Sequence, residues 1–273
     1  MPNGARQAVS FKDVTLGYHR HPAVHHLTGS LDKGALTAII GANGSGKSTL
    51  MKGITGMLKP MSGEIHIAPG ETIAYLPQQS ELDRHFPARV VDLVAMGLWN
   101  KRGLIGRHTG ADRARIVAAL ETVGLSGFER RGIDTLSGGQ LQRVLFARVL
   151  VQDASLILLD EPFSAIDAKT LSDLVDLITR WQEEGRTVAV VVHDLDLVRA
   201  HFPMAMLLAR RLVAWDETRK VLAPRNLEQA RDFQETWDEA APWCHDDDHD
   251  PQGGIPHQHG ADAEADRIAG NAP

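Results

Sequence analysis

The stretch "IIGANGSGKSTL", Ile39 to Leu50, decides the fold, because its residue types and spacing match a phosphate-binding loop. Its three glycines can adopt positive φ angles, so the backbone can turn successive N–H groups inward. Lys47 adds a mobile positive charge, and Ser48 opens a predicted helix with a hydroxyl group. The spacing Gly-x4-Gly-Lys-Ser is that of a P-loop, which predicts a nucleoside triphosphate site.

The flanking residues favour the same interpretation. The apolar run "LTAII" predicts a buried strand before the loop, and residues 48–57 predict a helix after it. A strand–loop–helix unit is the context in which this motif binds phosphate, whereas an ordinary glycine turn would need none of the lysine or hydroxyl groups. The predicted nucleotide-binding residues are Gly41, Ala42, Asn43, Gly44, Ser45, Gly46, Lys47, Ser48 and Thr49.

Composition places limits on the function. The 273 residues are 43% hydrophobic and 23% charged, which is ordinary for a globular protein. The net charge is −6, and seven acidic residues against one basic residue follow Cys244, so the rest of the chain is neutral. We therefore expect no nucleic-acid partner. The N-terminus lacks a signal-peptide core and no run approaches 18 apolar residues, so we expect no membrane span.

The order of predicted elements indicates an α/β fold. Strand-like runs fill residues 8–40 and 63–76, helical patterns fill residues 87–150, and βα alternation returns from residue 155. Continuous apolar strands such as "LILLD" and "TVAVVV" predict a parallel sheet covered on both faces. A helical segment thus interrupts an α/β core that begins with a β-rich region.

The stretch "LILLDEPFSAID" supplies two carboxylates at the end of a predicted strand. Asp160 suits Mg2+, together with Ser48, and Glu161 is placed to act as general base toward a water molecule. An acidic strand end before the turn at Pro162 is the alternative. The P-loop upstream favours the catalytic interpretation.

The stretch "LSGGQLQRVLFARVL" begins with a glycine-rich, hydroxyl-bearing helix start, which is a second anion-binding pattern. Ser137 could instead be an N-cap with no further role. Two phosphate-type sites on different lobes, with one P-loop lysine, fit a two-fold dimer in which each copy closes the other's site. The residues predicted to reach the partner's nucleotide are Ser137, Gly138, Gly139 and Gln140.

With these motifs, the sequence resembles the ATP-binding-cassette ATPases over about residues 8–215. The motifs "GANGSGKST", "LSGGQ", "ILLDEP", "SAID" and "VVVHDLD" occur in that family's order. The resemblance implies a P-loop NTPase with a RecA-like core, an N-terminal antiparallel β region and an inserted α-helical subdomain. It also implies an ATP-driven homodimer that uses ATP and Mg2+.

The resemblance also implies roles for single residues. Tyr18 resembles the aromatic residue that stacks on adenine. Gln78 in "YLPQQ" resembles the glutamine that contacts Mg2+ and the lytic water, although the neighbouring Gln79 could take that place. Asp167 resembles the residue that links the two sites across the dimer, and His193 resembles the histidine that contacts the γ-phosphate. The implied catalytic set is Glu161, His193, Gln78 and Lys47, and the implied Mg2+ ligands are Ser48, Gln78 and Asp160.

Domain bounds follow from the same resemblance. We expect a nucleotide-binding domain over residues 1–241, with a RecA-like lobe at about 1–86 and 151–241 and a helical subdomain at about 87–150. Residues 242–273 are predicted to be a disordered tail rich in Asp and His.

The stretch "YLPQQSELDRHFPARVVDLVAMG" resembles the zinc, manganese and iron uptake systems. This similarity implies an ATPase on the cytoplasmic face of the cell membrane that works with integral-membrane permease subunits and, indirectly, a periplasmic or extracellular metal-binding protein. The apolar residues after Pro87 form either a groove for a permease helix or ordinary core: Val90, Val91, Leu93, Val94 and Met96. Zinc is the favoured cargo, then manganese or iron complexes; an exporter of lipid or drug-like substrates is the alternative.

Histidines occur in two clusters that could suggest metal binding. In the tail, His245, His249, His257 and His259 lie among aspartates near Cys244 and are weak candidates for zinc, the alternative being an inert acidic tail. The N-terminal cluster lies in a predicted hairpin and is not expected to bind metal: His19, His21, His25 and His26.

Overall fold

The computed structural model describes residues 7–19, 21–79, 86–99, 109–164 and 166–235. Within these residues nine strands form one sheet in the order β4-β1-β2-β9-β8-β3-β7-β6-β5. The strands are β1 (Gln7–Tyr18), β2 (His21–Asp32), β3 (Leu36–Ile40), β4 (Ser62–Ile67), β5 (Ile73–Leu76), β6 (Leu156–Asp160), β7 (Thr187–Val191), β8 (Met204–Ala209) and β9 (Arg211–Glu217).

The helices fall into two groups along the chain. Those between β5 and β6 form the helical segment, and the others connect strands of the sheet. They are α1 (Lys47–Ile54), α2 (Val90–Ala95), α3 (Gly110–Thr122), α4 (Gly138–Gln152), α5 (Ala168–Glu183), α6 (Leu195–His201), α7 (Thr218–Val221) and α8 (Pro224–Glu235), with 3-10 turns at Met96–Leu98 and Ile133–Thr135. The P-loop helix α1 ends at Ile54, three residues before the predicted Met57.

The sheet has an antiparallel part and a parallel part. β1 pairs antiparallel with β2 and β4, whereas β3, β5, β6, β7 and β8 pair in parallel. Residues alternate between faces along the parallel strands, so Leu36, Ala38 and Ile40 join one apolar core while Ile39 joins the other. Burial on both faces explains the continuous apolar runs in these strands. The predicted α/β class, with a parallel sheet, an antiparallel β region and inserted helices, is confirmed.

The carboxyl ends of three central parallel strands carry the residues that the sequence singles out. β3 leads into the P-loop, β6 ends at Asp160, and β7 is followed by His193. Register places Asp160 beside Val191. Since neighbouring parallel strands end at the same edge of a sheet, these three segments meet there. Among the helices of the described residues, none is long and apolar enough to cross a bilayer.

Candidate nucleotide site

The P-loop glycines are required by backbone geometry. Gly44 and Gly46 have φ angles of 79° and 96°, in the left-handed region. A Cβ atom on Gly46 would lie 2.4 Å from the carbonyl oxygen of Ala23, which leaves no room for any side chain. The loop therefore packs directly on the β2 backbone and directs α1 toward the site.

Lys47 lies inside the loop rather than in solvent. Its Nζ atom donates hydrogen bonds to the carbonyl oxygens of Gly41, at 2.9 Å, and Ala42, at 2.7 Å. The residue is 5% exposed. Burial lowers the pKa of the ammonium group, and the nearby carboxylates of Glu161 and Asp160 oppose that shift. A desolvated cation beside a ring of N–H groups attracts anions strongly.

A second set of contacts fixes the P-loop to the antiparallel sheet. The N–H group of Arg210 donates to the carbonyl oxygen of Ser45 at 3.0 Å, and the N–H group of His25 donates to the carbonyl oxygen of Arg210 at 2.7 Å. Arg210 has a φ angle of 59°, which is unusual for a residue with a side chain. No sequence motif indicated this tie, because it consists of main-chain bonds between distant segments.

A cavity of about 610 Å3 opens over the P-loop. It collects residues from the ends of β3, β5, β6 and β7, as the sheet topology requires. Its walls are Ala23, Asn43, Gly44, Gly46, Lys47, Ser48, Thr49, Gln78, Glu161 and His193. The sequence-predicted catalytic residues are thus brought together in one cavity.

Glu161 is held at the centre of this group. Its Oε2 atom accepts a hydrogen bond from Nε2 of Gln78 at 2.9 Å, and its Oε1 atom lies 2.7 Å from Nε2 of His193. Glu161 has a φ angle of 51°, in the left-handed region that side-chain-bearing residues seldom adopt. The strained turn after β6 points the carboxylate sideways into the cavity instead of continuing the strand. Ser164, which sequence reasoning missed, also reaches Oε2, at 3.4 Å.

The adjacent glutamines Gln78 and Gln79 contact different groups. Gln78 reaches Glu161, whereas Nε2 of Gln79 donates to the carbonyl oxygen of Gly138 at 3.1 Å. Of these two glutamines, both of which the structure describes, only Gln78 lines the cavity. The geometry therefore favours Gln78 for the role beside the lytic water.

The donor set near the P-loop suits Mg2+. Ser48 and Gln78 line the cavity, and Asp160 is buried at the end of β6, close enough to influence the charge of Lys47. A hydroxyl, an amide oxygen and a carboxylate are hard oxygen donors, which Mg2+ prefers. Tyr75 adds a hydroxyl group 3.4 Å from Oδ2 of Asp160.

The "LSGGQ" segment lies outside this cavity. Ser137 is exposed and caps α4: its Oγ atom accepts from the N–H of Gln140 at 3.2 Å, and Oε1 of Gln140 accepts from the N–H of Ser137 at 3.1 Å. This capping box satisfies the helix start within the chain. Among the described residues, none of the segment Ser137 to Gln140 lines the P-loop cavity.

Two other predicted site residues also lie apart from the cavity lining. Tyr18 ends β1 and is 45% exposed. Asp167 caps α5: Oδ1 accepts from the N–H of Thr170 at 2.9 Å, and these bonds lower the pKa of the carboxyl group. A Cβ atom on Gly139 would lie 3.6 Å from Oδ2 of Asp167, so this aspartate borders the "LSGGQ" segment of its own chain.

Of the two histidine clusters, the N-terminal one lies in the part of the chain that the structure describes, and the tail cluster does not. Nδ1 of His26 lies 2.8 Å from Oδ1 of Asp13, whereas His25 is buried. Burial, then the positive groups of His26, Arg210 and Arg211, lower the pKa of His25 to about 4. Over the part of the chain that the structure describes, no group of three metal-ligating side chains occurs. The tail histidines His245, His249, His257 and His259 lie outside the described residues.

A larger cleft, of about 1200 Å3, lies within the helical segment. Of the apolar residues after Pro87, Val90 and Val94 are buried in the core, and Leu93 is buried in the core and also lines the cleft. Val91 and Met96 line the cleft, and Met96 is 41% exposed. Part of this stretch is therefore core, and whether the cleft accepts a permease helix stays a prediction. Other residues lining the cleft are Phe86, Trp99, Arg113, Ile116, Glu129 and Arg148.

Comparison with known proteins agrees with this geometry. Residues 24–164 match the family described as ABC transporter. The chain is 42% identical to a zinc transport system ATP-binding protein, TroB, of Treponema pallidum, over 76% of this chain and 80% of that protein. It is 38% identical to a manganese transport system ATP-binding protein, MntB, of Bacillus subtilis, over 81% and 91%.

A solved structure extends the likeness to three dimensions. An inward-facing ABC transporter described as of the metal-chelate type matches with a TM-score of 0.75 and 30% identity, over 83% of this chain and 90% of that one. The family match covers the P-loop, Gln78, the "LSGGQ" segment and Glu161. The chain therefore belongs to the ABC transporter family and is one of its ATP-hydrolysing subunits.

Proposed function

We propose that this chain powers the import of a divalent metal ion, with zinc favoured and manganese or iron complexes next. The observation that carries the proposal is the high identity to zinc and manganese transport ATPases over most of their length. The P-loop cavity supplies the ATPase, and the cleft in the helical segment supplies a surface for a membrane partner.

Several residues that line the cavity have a part in the proposed hydrolysis. Lys47 and the 41–48 backbone hold the triphosphate. Glu161 accepts the proton of the attacking water, since its carboxylate is the only acidic side chain among the described residues that line the cavity. His193 and Gln78 hold that carboxylate, through contacts of 2.7 and 2.9 Å. Both residues line the cavity, where they would lie beside the γ-phosphate.

Ser48, Gln78 and Asp160 would hold Mg2+ beside the phosphates. When bound, the ion neutralises charge on the β- and γ-phosphate oxygens. Asp160 is suited to this role because its carboxylate is buried at the strand end, where its position is fixed by β6 and β7.

We infer that the working form is a homodimer. In the Ser137–Gln140 segment Ser137 is exposed and the other residues are half-buried, and the segment lies apart from its own chain's cavity. Its helix start offers N–H groups that suit a phosphate. A second copy related by a two-fold axis would bring this segment over the γ-phosphate. Asp167 borders the segment and would sit at the same seam, and Tyr18 would stack on adenine at its edge.

The permease would dock in the cleft of the helical segment. The cleft is lined mainly by apolar side chains, with Met96 and Trp99 exposed at 41% and 48%. A short amphipathic helix fits a groove of this kind, with apolar anchors inside and polar residues at the rim. This arrangement would place the chain at the cytoplasmic face of the cell membrane, beside permease subunits served by a periplasmic or extracellular metal-binding protein.

An exporter for lipid or drug-like substrates is the second candidate, because exporters use the same ATPase core. The names of the metal-transport relatives favour a metal cargo over a lipid or drug-like one. Because those names include both zinc and manganese, the two ions are compared as cargo in the experiment below.

Deletion of the gene in its own host tests the proposal. We expect slower growth in medium depleted of zinc with a chelator, and recovery on adding zinc. The wild-type gene and a Glu184→Gln control should complement the deletion, whereas Glu161→Gln should not. Recovery with manganese alone would make manganese the cargo. Unchanged growth under metal depletion, with sensitivity to a lipophilic drug, would support the exporter.

A further inference from the structure

The segment that carries Gln78 is attached to helix α4 at two points. Nη2 of Arg148 donates to the carbonyl oxygen of Tyr75 at 3.1 Å, and Nε2 of Gln79 donates to the carbonyl oxygen of Gly138 at 3.1 Å. Gln78 lies between the two attachments. Nε2 of Gln78 donates to Oε2 of Glu161 at 2.9 Å.

The lengths of the two elements agree. Gly138 and Arg148 are separated by ten residues of helix, which is about 15 Å along the axis. Tyr75 and Gln79 are separated by four residues, which span at most about 14 Å when fully extended. The Tyr75–Gln79 segment therefore runs alongside α4 in the opposite direction. Two bonds at the ends of matched lengths make the segment and the helix move together.

β5 depends on this attachment because it is an edge strand. It pairs with β6 on one side only, with Tyr75 opposite Leu158 and Leu76 opposite Leu159. Its other side meets the helical segment, where Arg148 supplies the donor for the carbonyl of Tyr75. Without the hydrogen bond from Arg148, the last residues of β5 would be hydrogen-bonded to β6 alone.

Arg148 also lies in the wall of the cleft. Among the described residues, its buried Nε atom has no hydrogen-bond acceptor. Burial lowers the pKa of its guanidinium group, which marks this side chain as desolvated. The helix backbone at Arg148 is closely packed as well, since a Cβ atom on Gly97 would lie 2.4 Å from its carbonyl oxygen. Movement of the cleft wall at Met96 and Trp99 would therefore press directly on α4.

We propose that Arg148 and Gln79 are positioning residues that clamp the Tyr75–Gln79 segment along α4 and so hold Gln78 against the carboxylate of Glu161. This inference rests on the proposed function in one respect: Glu161 is taken as the general base of ATP hydrolysis.

Steady-state hydrolysis by the purified full-length chain tests the clamp. Arg148→Met keeps the long apolar stem but removes the donors. We expect its kcat for MgATP to fall about tenfold while KM stays within about threefold, because the P-loop is untouched. Arg148→Lys keeps one donor and should return kcat to within about threefold of wild type. A change in KM alone would overturn the proposal.

A double-mutant cycle distinguishes positioning from general support. If Arg148 acts through Gln78, then Arg148→Met should lower kcat by less than about twofold in a Gln78→Ala background. Independent, multiplying effects of the two substitutions would contradict the clamp.

Arg186 provides a matched control. It also donates to a backbone carbonyl, that of Ala154 at 3.1 Å, but at the amino ends of β6 and β7. Arg186→Met should lower Tm to a similar extent as Arg148→Met and leave kcat within about twofold of wild type. Equal losses of kcat in both variants would reduce Arg148 to a structural residue.

Hydrogen exchange gives a readout that does not need turnover. The amides of residues 76–79 should exchange at least about fivefold faster in Arg148→Met than in wild type. In Arg186→Met the same amides should exchange at the wild-type rate. Absence of hydrolysis by wild type together with its permease would overturn the ATPase role, whereas unchanged exchange in Arg148→Met would overturn only the clamp.

Discussion

Nε2 of His193 lies 2.7 Å from Oε1 of Glu161, although the two residues are 32 positions apart in the chain. The contact follows from the sheet, because β6 and β7 are parallel neighbours whose carboxyl ends meet. Gln78 donates a hydrogen bond to the other carboxylate oxygen of Glu161. The proposed general base is therefore oriented from two sides. Its left-handed backbone, with φ at 51°, makes this orientation dependent on the turn after β6.

Replacing Glu161 by glutamine should separate binding from hydrolysis. The amide keeps the size of the side chain and can still contact Gln78 and His193, but it cannot take a proton from water. We expect kcat to fall by about 10²- to 10⁴-fold, the usual contribution of a general base. Affinity for MgATP should stay within about threefold. Size-exclusion chromatography with MgATP should show a persistent dimer.

The control for this variant is Glu184→Gln. Glu184 is an exposed glutamate just after α5 that contacts Arg186 at 3.0 Å, away from the cavity. It should retain the wild-type rate. Rapid hydrolysis by Glu161→Gln would remove Glu161 from the base role.

Two glycines of the P-loop should respond differently to alanine. At Gly46, a φ of 96° and a Cβ position 2.4 Å from the Ala23 carbonyl oxygen combine backbone strain with overlap. We expect a loss of more than about 3 kcal/mol, the sum of a left-handed penalty and overpacking. At Gly44 no atom lies within 4 Å of the Cβ position, so only the backbone penalty of about 1 to 2 kcal/mol remains.

Thermal unfolding measures the difference. Gly46→Ala should lower Tm by roughly 10 °C and Gly44→Ala by about 5 °C or less, at the 2 to 4 °C per kcal/mol typical of this size. Equal shifts for the two variants would show that the overlap at Gly46 is relieved by movement of β2.

Much of the fold could be predicted from the sequence because local patterns agree with the tertiary structure. The apolar runs "LTAII", "LILLD" and "TVAVV" all form buried parallel strands. The P-loop could be predicted because its glycine spacing, its lysine and the helix that follows lie within about ten residues of one another. The position of Glu161 at a strand end also followed from local pattern.

Long-range bonds could not be predicted in the same way. The bond between Arg210 and Ser45 joins main-chain atoms that lie far apart in sequence and that almost any residue type could supply. The bond from the Arg148 side chain to the Tyr75 carbonyl oxygen likewise has a main-chain acceptor that is distant in sequence. The stretch after Pro87 shows the same limit. Val90 enters the core while its neighbour Val91 lines the cleft, and periodicity over a six-residue helix cannot separate the two faces.

The cleft predicts a selective loss of coupling. Met96→Glu places a charge among Val91 and Trp99, where a docked apolar helix would have to bury it. We expect stimulation of hydrolysis by the reconstituted permease to fall at least about tenfold, with the unstimulated rate within about twofold. Met57→Glu is the control, because Met57 is 67% exposed and lies outside the cleft lining. Equal loss of stimulation in both variants would argue against the cleft as docking site.

Buried His25 predicts that stability falls in mild acid. Burial and the positive groups of His26, Arg210 and Arg211 lower its pKa from 6.5 to about 4, so the folded state keeps the imidazole neutral where the unfolded chain would protonate it. Between pH 6.5 and pH 4 the unfolded state therefore binds more protons, and the free energy of unfolding decreases as pH falls. The slope is about 1.4 kcal/mol per pH unit, and the loss between pH 7 and pH 5 is about 2 kcal/mol.

Urea unfolding of wild type and His25→Gln at both pH values isolates this contribution. Glutamine is not protonated in this pH range. The free energy of unfolding of His25→Gln should therefore fall by about 2 kcal/mol less than that of wild type between pH 7 and pH 5. His66→Gln provides the comparison, because His66 is an exposed histidine on β4. Identical pH dependence of unfolding in wild type and His25→Gln would show that the imidazole is already protonated in the folded state.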